Sequence, residues 1–387
     1  MPEPISVVCI AGDGIGPEIT AVMKEVVSAA TSAEGVEIRW EDCYIGVSAL
    51  ERGEEVLPAA VIERIQEVGV AIKGPTETPV GSGHRSVNVA LRHALDLYAN
   101  VRPVRWFSGV ESPVKHPENV NLTIFRENTE DVYAGIEYEA GSKEARALHE
   151  FLHLPDTIPV DSALGIKPIS ERATRRLMQR AVSFAQEHHY KRITIVHKGN
   201  IMKFTEGAFR GWAMEEAKIL LGSHYLDRGE CVTQWNGAVP DNRILVQDRI
   251  ADAMFQELIL RPEEHEILVA PNLNGDYLSD AAAALVGGLG LAPGVNIGER
   301  ATVFEAVHGT APDIAGKNLA NPSALILSAA LLFGHLGYPM IAERIEGALA
   351  ELIAQNTVTG DLFSSDRPGE RLSCSGFGAR LSALLSR

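Results

Sequence analysis

Ala11-Gly12-Asp13-Gly14-Ile15-Gly16-Pro17 follows the short apolar run Ser6–Ala11. It precedes Pro17–Ala30, where Ile19, Val22, Met23, Val26 and Val27 recur at helical spacing. A strand that turns through glycines into a helix opens an α/β chain. The loop invites a G-x-G-x-x-G dinucleotide reading. Gly12 and Gly14 fit its first two positions, but the third falls on Pro17. Proline suits the first position of a helix. Taken alone, the residues read more simply as a tight strand-to-helix turn than as a phosphate cradle.

Further along the chain, β-like runs stand at Val68–Ile72, Asn121–Phe125, Arg192–Val196, Ile267–Ala270 and Thr302–Glu305. Helical runs such as Glu171–His188, Glu206–Leu221 and Ile244–Leu260 lie between them. This alternation predicts an α/β fold with a substantial sheet. No repeat, low-complexity tract or linker divides the chain, which suggests a domain that leaves and re-enters another. Glu137–Pro159 is the least periodic segment and reads as an excursion.

The 387 residues correspond to about two or three domains. Apolar residues make up 45% and charged residues 22%, enough for a sizeable core and against disorder. Lys and Arg number 35 against 51 Asp and Glu, a net charge of −16. That balance argues against a nucleic-acid or anionic-membrane partner but allows a local basic pocket for a small anion. Cys9, Cys43, Cys231 and Cys374 form no CxxC pair, so a zinc ribbon is not expected and the thiols read as reduced and intracellular. Met1–Ser6 lacks the features of a secretory signal, and a cytoplasmic protein is expected. Ala281–Gly298 and Asn318–Ala342 carry no Asp, Glu, Lys or Arg, but glycines and prolines interrupt them. Both are expected to be buried core or interface, not membrane spans.

Arg85, Arg92, Arg102 and Arg126 cluster in sequence with Ser86, Asn88 and Tyr133 among them, suggesting a pocket for a polyanion. In Asn272-Leu273-Asn274-Gly275-Asp276-Tyr277-Leu278-Ser279-Asp280, a helix would place Asp276 and Asp280 one turn apart on one face. Two like charges so placed repel unless a cation lies between them, and hard oxygen donors suit Mg²⁺ or Mn²⁺. A helix N-terminal turn explains the same pair without a metal. Asp252 is a possible third ligand. Lys198 closes an apolar strand at a glycine turn, a position that suits either loop chemistry or an ordinary surface lysine. Glu305–Ala315 is a small-residue loop ending in an acid, a plausible nucleotide contact.

Together these segments resemble the β-decarboxylating isocitrate and 3-isopropylmalate dehydrogenases over about residues 9–377. The resemblance rests on GDGIGPE (12–18), AIKGPTETPVGSGHRSVNVALR (71–92), LDLYANVRPVR (95–105), FRENTEDVYAGIE (125–137), VHKGNIMKFTEGAFR (196–210), NLNGDYLSDAAAA (272–284) and HGTAPDIAGKNLANPSA (308–324). Arg85-Ser86-Val87-Asn88 is similar to the isocitrate branch, with Ser86 and Asn88 where the isopropylmalate branch carries apolar residues. The resemblance implies that the fold is not a Rossmann domain. It implies a large α/β domain from 1–97 and 287–387, a small one from 98–130 and 171–286, and an intersubunit clasp from 131–170.

It further implies oxidative decarboxylation of isocitrate by a homodimer with shared sites. Tyr133 and Lys198 would handle protons, and Ser86, Asn88, Arg92, Arg102 and Arg126 would bind substrate. Asp252, Asp276 and Asp280 would hold Mg²⁺ or Mn²⁺, with Lys198 and Asp252 reaching the partner's site. Thr78, Asn200, His308, Gly309, Thr310, Ala311, Asp313, Ile314 and Asn321 would contact the cofactor. 3-Isopropylmalate, homoisocitrate and tartrate are the alternative substrates. A silent regulatory subunit would be expected to have lost Tyr133, Lys198 or an aspartate, and all are present. Phosphorylation at Ser86 would place negative charge where a substrate carboxylate binds. NADP-using relatives carry Lys-Tyr after HGTAP, and Tyr and Arg at the positions of Gly360 and Ser364. Asp313, Ile314, Gly360 and Ser364 lack those groups, so the expected cofactor is NAD.

Overall fold

The computed structural model describes residues 3–77 and 86–387. Among these, eleven strands form one mixed sheet. Its order is Ile38–Cys43, Ile5–Ile10, Val70–Lys73, Thr302–Ala306, Pro293–Ile297, Ala99–Arg105, Asn121–Glu127, Ile267–Ala270, Arg192–His197, Ile244–Ile250 and Tyr225–Asp227. The outer wings are parallel. The four central strands, Thr302–Ala306 through Asn121–Glu127, pair antiparallel. A doubly wound dinucleotide domain is parallel through its centre, so the antiparallel strip excludes that fold, as expected. One wing is built from both ends of the chain and the other from its middle. Ile267–Ala270 is buried along its whole length, the signature of a parallel strand covered on both faces.

The Gly12–Gly16 turn is a junction between loops. Gly12 and Gly14 have φ of +79° and +59°, where glycine carries no steric penalty. Cβ atoms on Gly12 and Gly14 would collide with the Pro75 and Thr310 carbonyls. Asp13 N donates to Pro75 O at 2.7 Å and Ile15 N to Thr310 O at 2.9 Å. The Asp13 carboxylate accepts from Ser48 N at 2.9 Å and Glu77 N at 2.8 Å. The glycines therefore serve close backbone approach, and helix Gly16–Ser32 follows with Pro17 in its first turn.

Ile244–Leu260 departs from the single helix expected. Ile244–Ile250 is a strand between Arg192–His197 and Tyr225–Asp227, and the helix begins at Ala251. Val246, Ile250, Met254 and Leu258 recur every four residues and imitate one helical face across the boundary. Parallel pairing on both sides overrides that pattern. Within the uncharged Asn318–Ala342 stretch, helix Ser323–His335 is buried on almost every face. The 131–170 excursion contains helix Lys143–Phe151 and a two-stranded antiparallel sheet, Ile136–Tyr138 with Leu164–Ile166. Among the described residues no helix is long and apolar enough to cross a membrane.

Candidate active site

Arg102 and Arg126 stand on adjacent antiparallel central strands, where Asn100 pairs with Arg126 and Arg102 with Ile124. Arg92 lies in the last turn of helix Val87–Ala94. All three are buried. Opposite them, helix Asn272–Leu285 presents Asp276 and Asp280 one turn apart, as the sequence predicts. Arg126 pairs with Asp276 and its Nε donates to Asn272 Oδ1 at 2.8 Å. Arg102 Nη1 lies 3.2 Å from Asp280 and 3.7 Å from Asp276, and donates to Ser279 Oγ. The Tyr133 hydroxyl donates to the other Asp276 oxygen, with the Arg126 guanidinium 4.8 Å from its ring centroid. Gly275 makes this approach possible: a Cβ there would come within 2.7 Å of Arg126 Cβ and Cγ.

The electrostatics follow from crowding three guanidiniums into a dry place. Burial, reinforced by Arg92 and Arg102, pushes Arg126 down to about 10. Burial likewise lowers Arg102. Burial alone would raise Asp276, but Arg126 and the Tyr133 hydroxyl outweigh it and leave the carboxyl below its ordinary value. Asp280 is raised by burial, with the Asp276 charge adding to it against Arg102. Burial and the bond to Asp276 raise Tyr133, so its hydroxyl stays protonated at neutral pH.

Arg92 is held from behind by residues that sequence reasoning missed. Glu305 Oε1 is 3.1 Å from Arg92 Nη2, and Oε2 is 3.0 Å from Lys73 Nζ. Asn296 Nδ2 donates to Glu305 at 2.8 Å. Lys73 and Glu305 are register partners on neighbouring strands. Lys73 closes an apolar strand and is 98% hidden, so its sequence context resembles an ordinary strand end.

Ser86 immediately precedes the Arg92 helix, and Asn88 Oδ1 accepts from Thr76 Oγ1 at 2.8 Å. Thr78 and Arg85 lie outside the described residues. Lys198 and Asp252 pair with each other, with side chains 33% and 71% exposed. The structure thus places Asp252 with Lys198 and not with Asp276 and Asp280. Glu257, Glu264 and His265 do approach one another closely enough to share a cation. Arg249 and His265 already bond to Glu257, which identifies an ion-pair network.

The expected cofactor loop follows strand Thr302–Ala306. His308, Gly309, Ala311, Ile314 and Asn321 line a cavity of about 380 Å³. Ile15, Gly290 and Asp361 line it too and were not anticipated. Asp361 was missed because its link to the loop is Asn321, forty residues earlier, whose Nδ2 donates to it at 2.9 Å, while its other oxygen accepts from the neighbouring Thr359 hydroxyl at 2.6 Å. Ala311 has φ of +41°, and burial lowers the His308 imidazole. Thr310 accepts the Ile15 amide through its carbonyl, and Asp313 is exposed. Asn200 is exposed on the Lys198 turn, away from this cavity.

The family model for isocitrate/isopropylmalate dehydrogenase matches residues 6–381. The chain is 51% identical over 353 residues to an isocitrate dehydrogenase [NADP] of Archaeoglobus fulgidus, covering 91% of this chain and 86% of the relative. It is 45% identical over 379 residues to that of Pseudomonas aeruginosa, covering 95% of this chain and 90% of the relative. The isocitrate dehydrogenase structure from Methylococcus capsulatus matches at 36% identity and a TM-score of 0.81, covering 99% of both chains. The expectation of NAD is overturned by these relatives, which are named as NADP enzymes. That expectation weighed four aligned positions only, and the fold brings other cations to two of them. Lys317 Nζ donates to the Asp313 carbonyl at 2.6 Å. The Arg371 guanidinium lies over Gly360, where a Cβ would come within 2.7 Å of it. Match along nearly the whole chain, with the fold and the arginine–aspartate cluster in place, makes this chain a member of the isocitrate/isopropylmalate dehydrogenase family.

Proposed function

We propose that the chain oxidises and decarboxylates isocitrate to 2-oxoglutarate and CO₂ while reducing NADP⁺, using Mg²⁺ or Mn²⁺. The observation that carries this reading is the convergence of the buried Arg102 and Arg126 on Asp276 and Tyr133, with the buried Arg92 guanidinium in their field. Desolvated guanidiniums in each other's field call for a multiply charged anion. Ser86 and Asn88 add a hydroxyl and an amide where an alkyl-bearing substrate would need apolar groups. NADP is taken from the names of the relatives.

A divalent cation fits Asp276 and Asp280, because two hard carboxylates one turn apart repel without one. When bound, it supplies Lewis-acid polarisation of the substrate's hydroxyl and of the carbonyl that replaces it. With those carboxylates so engaged, Arg102 and Arg126 are left to hold substrate carboxylates, together with Arg92. The bound nicotinamide would supply the acceptor for the C2 hydride, and the chain's own part in that oxidation is to take the hydroxyl proton, for which Lys198 is the group proposed. Loss of CO₂ leaves an enolate, and the protonated Tyr133 hydroxyl donates to its carbon.

Lys198 and Asp252 belong, in this reading, to the site of a second copy. Their exposure away from Asp276 supports that assignment. So do Phe151 at 78% and Val160 at 53% exposure on the excursion, apolar side chains suited to a clasp between subunits. The partition into domains at 1–97 with 287–387, 98–130 with 171–286, and 131–170 is part of the same proposal. The test is initial rates with isocitrate and Mn²⁺, comparing NADP⁺ with NAD⁺ and identifying the product. Faster reduction of NADP⁺ with 2-oxoglutarate formed is expected. Faster reduction of NAD⁺ would refute the cofactor assignment.

A further inference from the structure

We infer that Lys167, through Asp131 and Glu206, is a positioning residue that fixes the Tyr133 and Lys198 turns with respect to each other. The inference deepens the functional reading above and rests on its assignment of both groups to proton transfer. Lys167 follows the excursion strand Leu164–Ile166. Its ammonium pairs with Asp131 Oδ1 and lies 3.0 Å from Glu206 Oε1. Both carboxylate side chains are 1% exposed. Two acids therefore share one cation in a nearly dry place.

Each acid also holds backbone that leads to the chemistry. Glu206 Oε2 accepts the Lys198 amide at 2.5 Å and Asn274 Nδ2 at 2.8 Å. Asp131 Oδ2 accepts the Leu273 amide at 3.0 Å, and Oδ1 accepts that of Val132 at 2.7 Å. Leu273 and Asn274 lie in the first turn of the helix bearing Asp276 and Asp280. Asp131 opens the short turn Asp131–Ala134 that carries Tyr133, with φ of +69°. An aspartate rarely adopts that conformation, and the bonds to its own carboxylate hold it there.

Three separate segments are thus pinned, through two buried carboxylates, at one ammonium whose side chain is 17% exposed: the Tyr133 turn, the start of the aspartate helix and the Lys198 turn. Lys167 itself reaches neither Tyr133 nor Asp276 in the bonds it makes. Without the ammonium, two buried like charges would face each other with no shared cation, and the segments they hold would separate.

The test compares wild type, Lys167→Met and Lys167→Arg. Lys167→Met is expected to lower kcat by about thirtyfold or more, because small misplacement of reacting groups is costly. The KM for isocitrate should stay within about threefold, because the triad makes no bond to the arginine cradle. Lys167→Arg should recover most of kcat. Amide hydrogen exchange supplies a readout independent of turnover: the Lys198 and Leu273 amides should both lose about tenfold or more of their protection in Lys167→Met and regain it in Lys167→Arg. If Lys167→Met does not fold, Glu206→Gln takes its place and should deprotect the Lys198 amide first. Unchanged kcat with unchanged protection in a folded variant would overturn the inference. So would a fall in thermal stability with no selective loss at the two amides. If wild type turns over no isocitrate, the functional reading fails while the exchange arm still decides the coupling.

Discussion

At Tyr133 the chemistry narrows to one hydroxyl, bonded to the carboxylate that Arg126 also holds. Removing that hydroxyl in Tyr133→Phe should lower kcat by about a hundredfold, with little change in KM, as steady-state rates would show. Full kcat in the variant would remove Tyr133 from proton transfer. Glu305 yields a prediction about pH. Burial opposes its ionisation, yet Lys73 and Arg92 hold its carboxyl far below the ordinary range. A carboxyl depressed in the folded state stabilises fully above about pH 6, begins to lose that contribution as pH falls through the ordinary carboxylate range, and loses it entirely only as pH falls through the depressed folded-state value. Glu305→Gln leaves two buried cations underpaired and should cost about 3 kcal/mol at neutral pH, by urea denaturation. The gap from wild type should narrow as the medium is acidified, and a gap independent of pH would contradict the ion-pair account. The arginines, aspartates and Tyr133 were legible in the sequence because their types announce chemistry. Lys73 and Glu305 were not, because each looks like the end of an apolar strand and only the sheet brings them together.

Elements with unbroken patterns were read well and junctions poorly. Ile267–Ala270 and Glu206–Leu221 have the bounds that their apolar runs suggest. Ile244–Leu260 was misread because a strand and the next helix share a four-residue spacing, and strand pairing is nonlocal. The glycine loop shows the reverse. Its spacing argued against a Rossmann fingerprint, in keeping with the antiparallel strip of the sheet, but nothing local could show that Gly14 is pressed against Thr310. Gly14→Ala should therefore destabilise the fold by about 1–3 kcal/mol in chemical denaturation. It should raise the KM for the nicotinamide cofactor more than that for isocitrate, since the displaced segment is the His308–Ile314 loop. Equal changes in both constants would show that the junction does not steer that loop.

Over the whole molecule, a central antiparallel strip joins a wing built from both chain ends to one built from the middle. Alternating strands and helices disclosed the α/β class, but strand order depends on pairings between residues hundreds of positions apart. The cations beside Asp313 and Gly360 are near in sequence, Lys317 four residues on and Arg371 eleven, but the expectation of NAD weighed only the aligned positions themselves. The proposed sharing of sites between two copies makes a prediction at this scale. Tyr133→Phe and Lys198→Met subunits, each impaired alone, should regain about a quarter of wild-type activity when mixed and reassociated, because half of random dimers are mixed and each has one intact site. No recovery would place both residues in a site built from one chain.

The most direct measurement is kcat/KM for isocitrate against 3-isopropylmalate, homoisocitrate and tartrate, with NADP⁺ and Mn²⁺, on the purified chain. The arginine cradle with Ser86 and Asn88 predicts that isocitrate leads 3-isopropylmalate and tartrate by about a hundredfold or more, since a site built for three carboxylates strongly rejects substrates lacking one. It should lead homoisocitrate, which is one methylene longer, by about tenfold. A higher value for 3-isopropylmalate, or no turnover of isocitrate, would contradict the assignment of this cradle to a tricarboxylate.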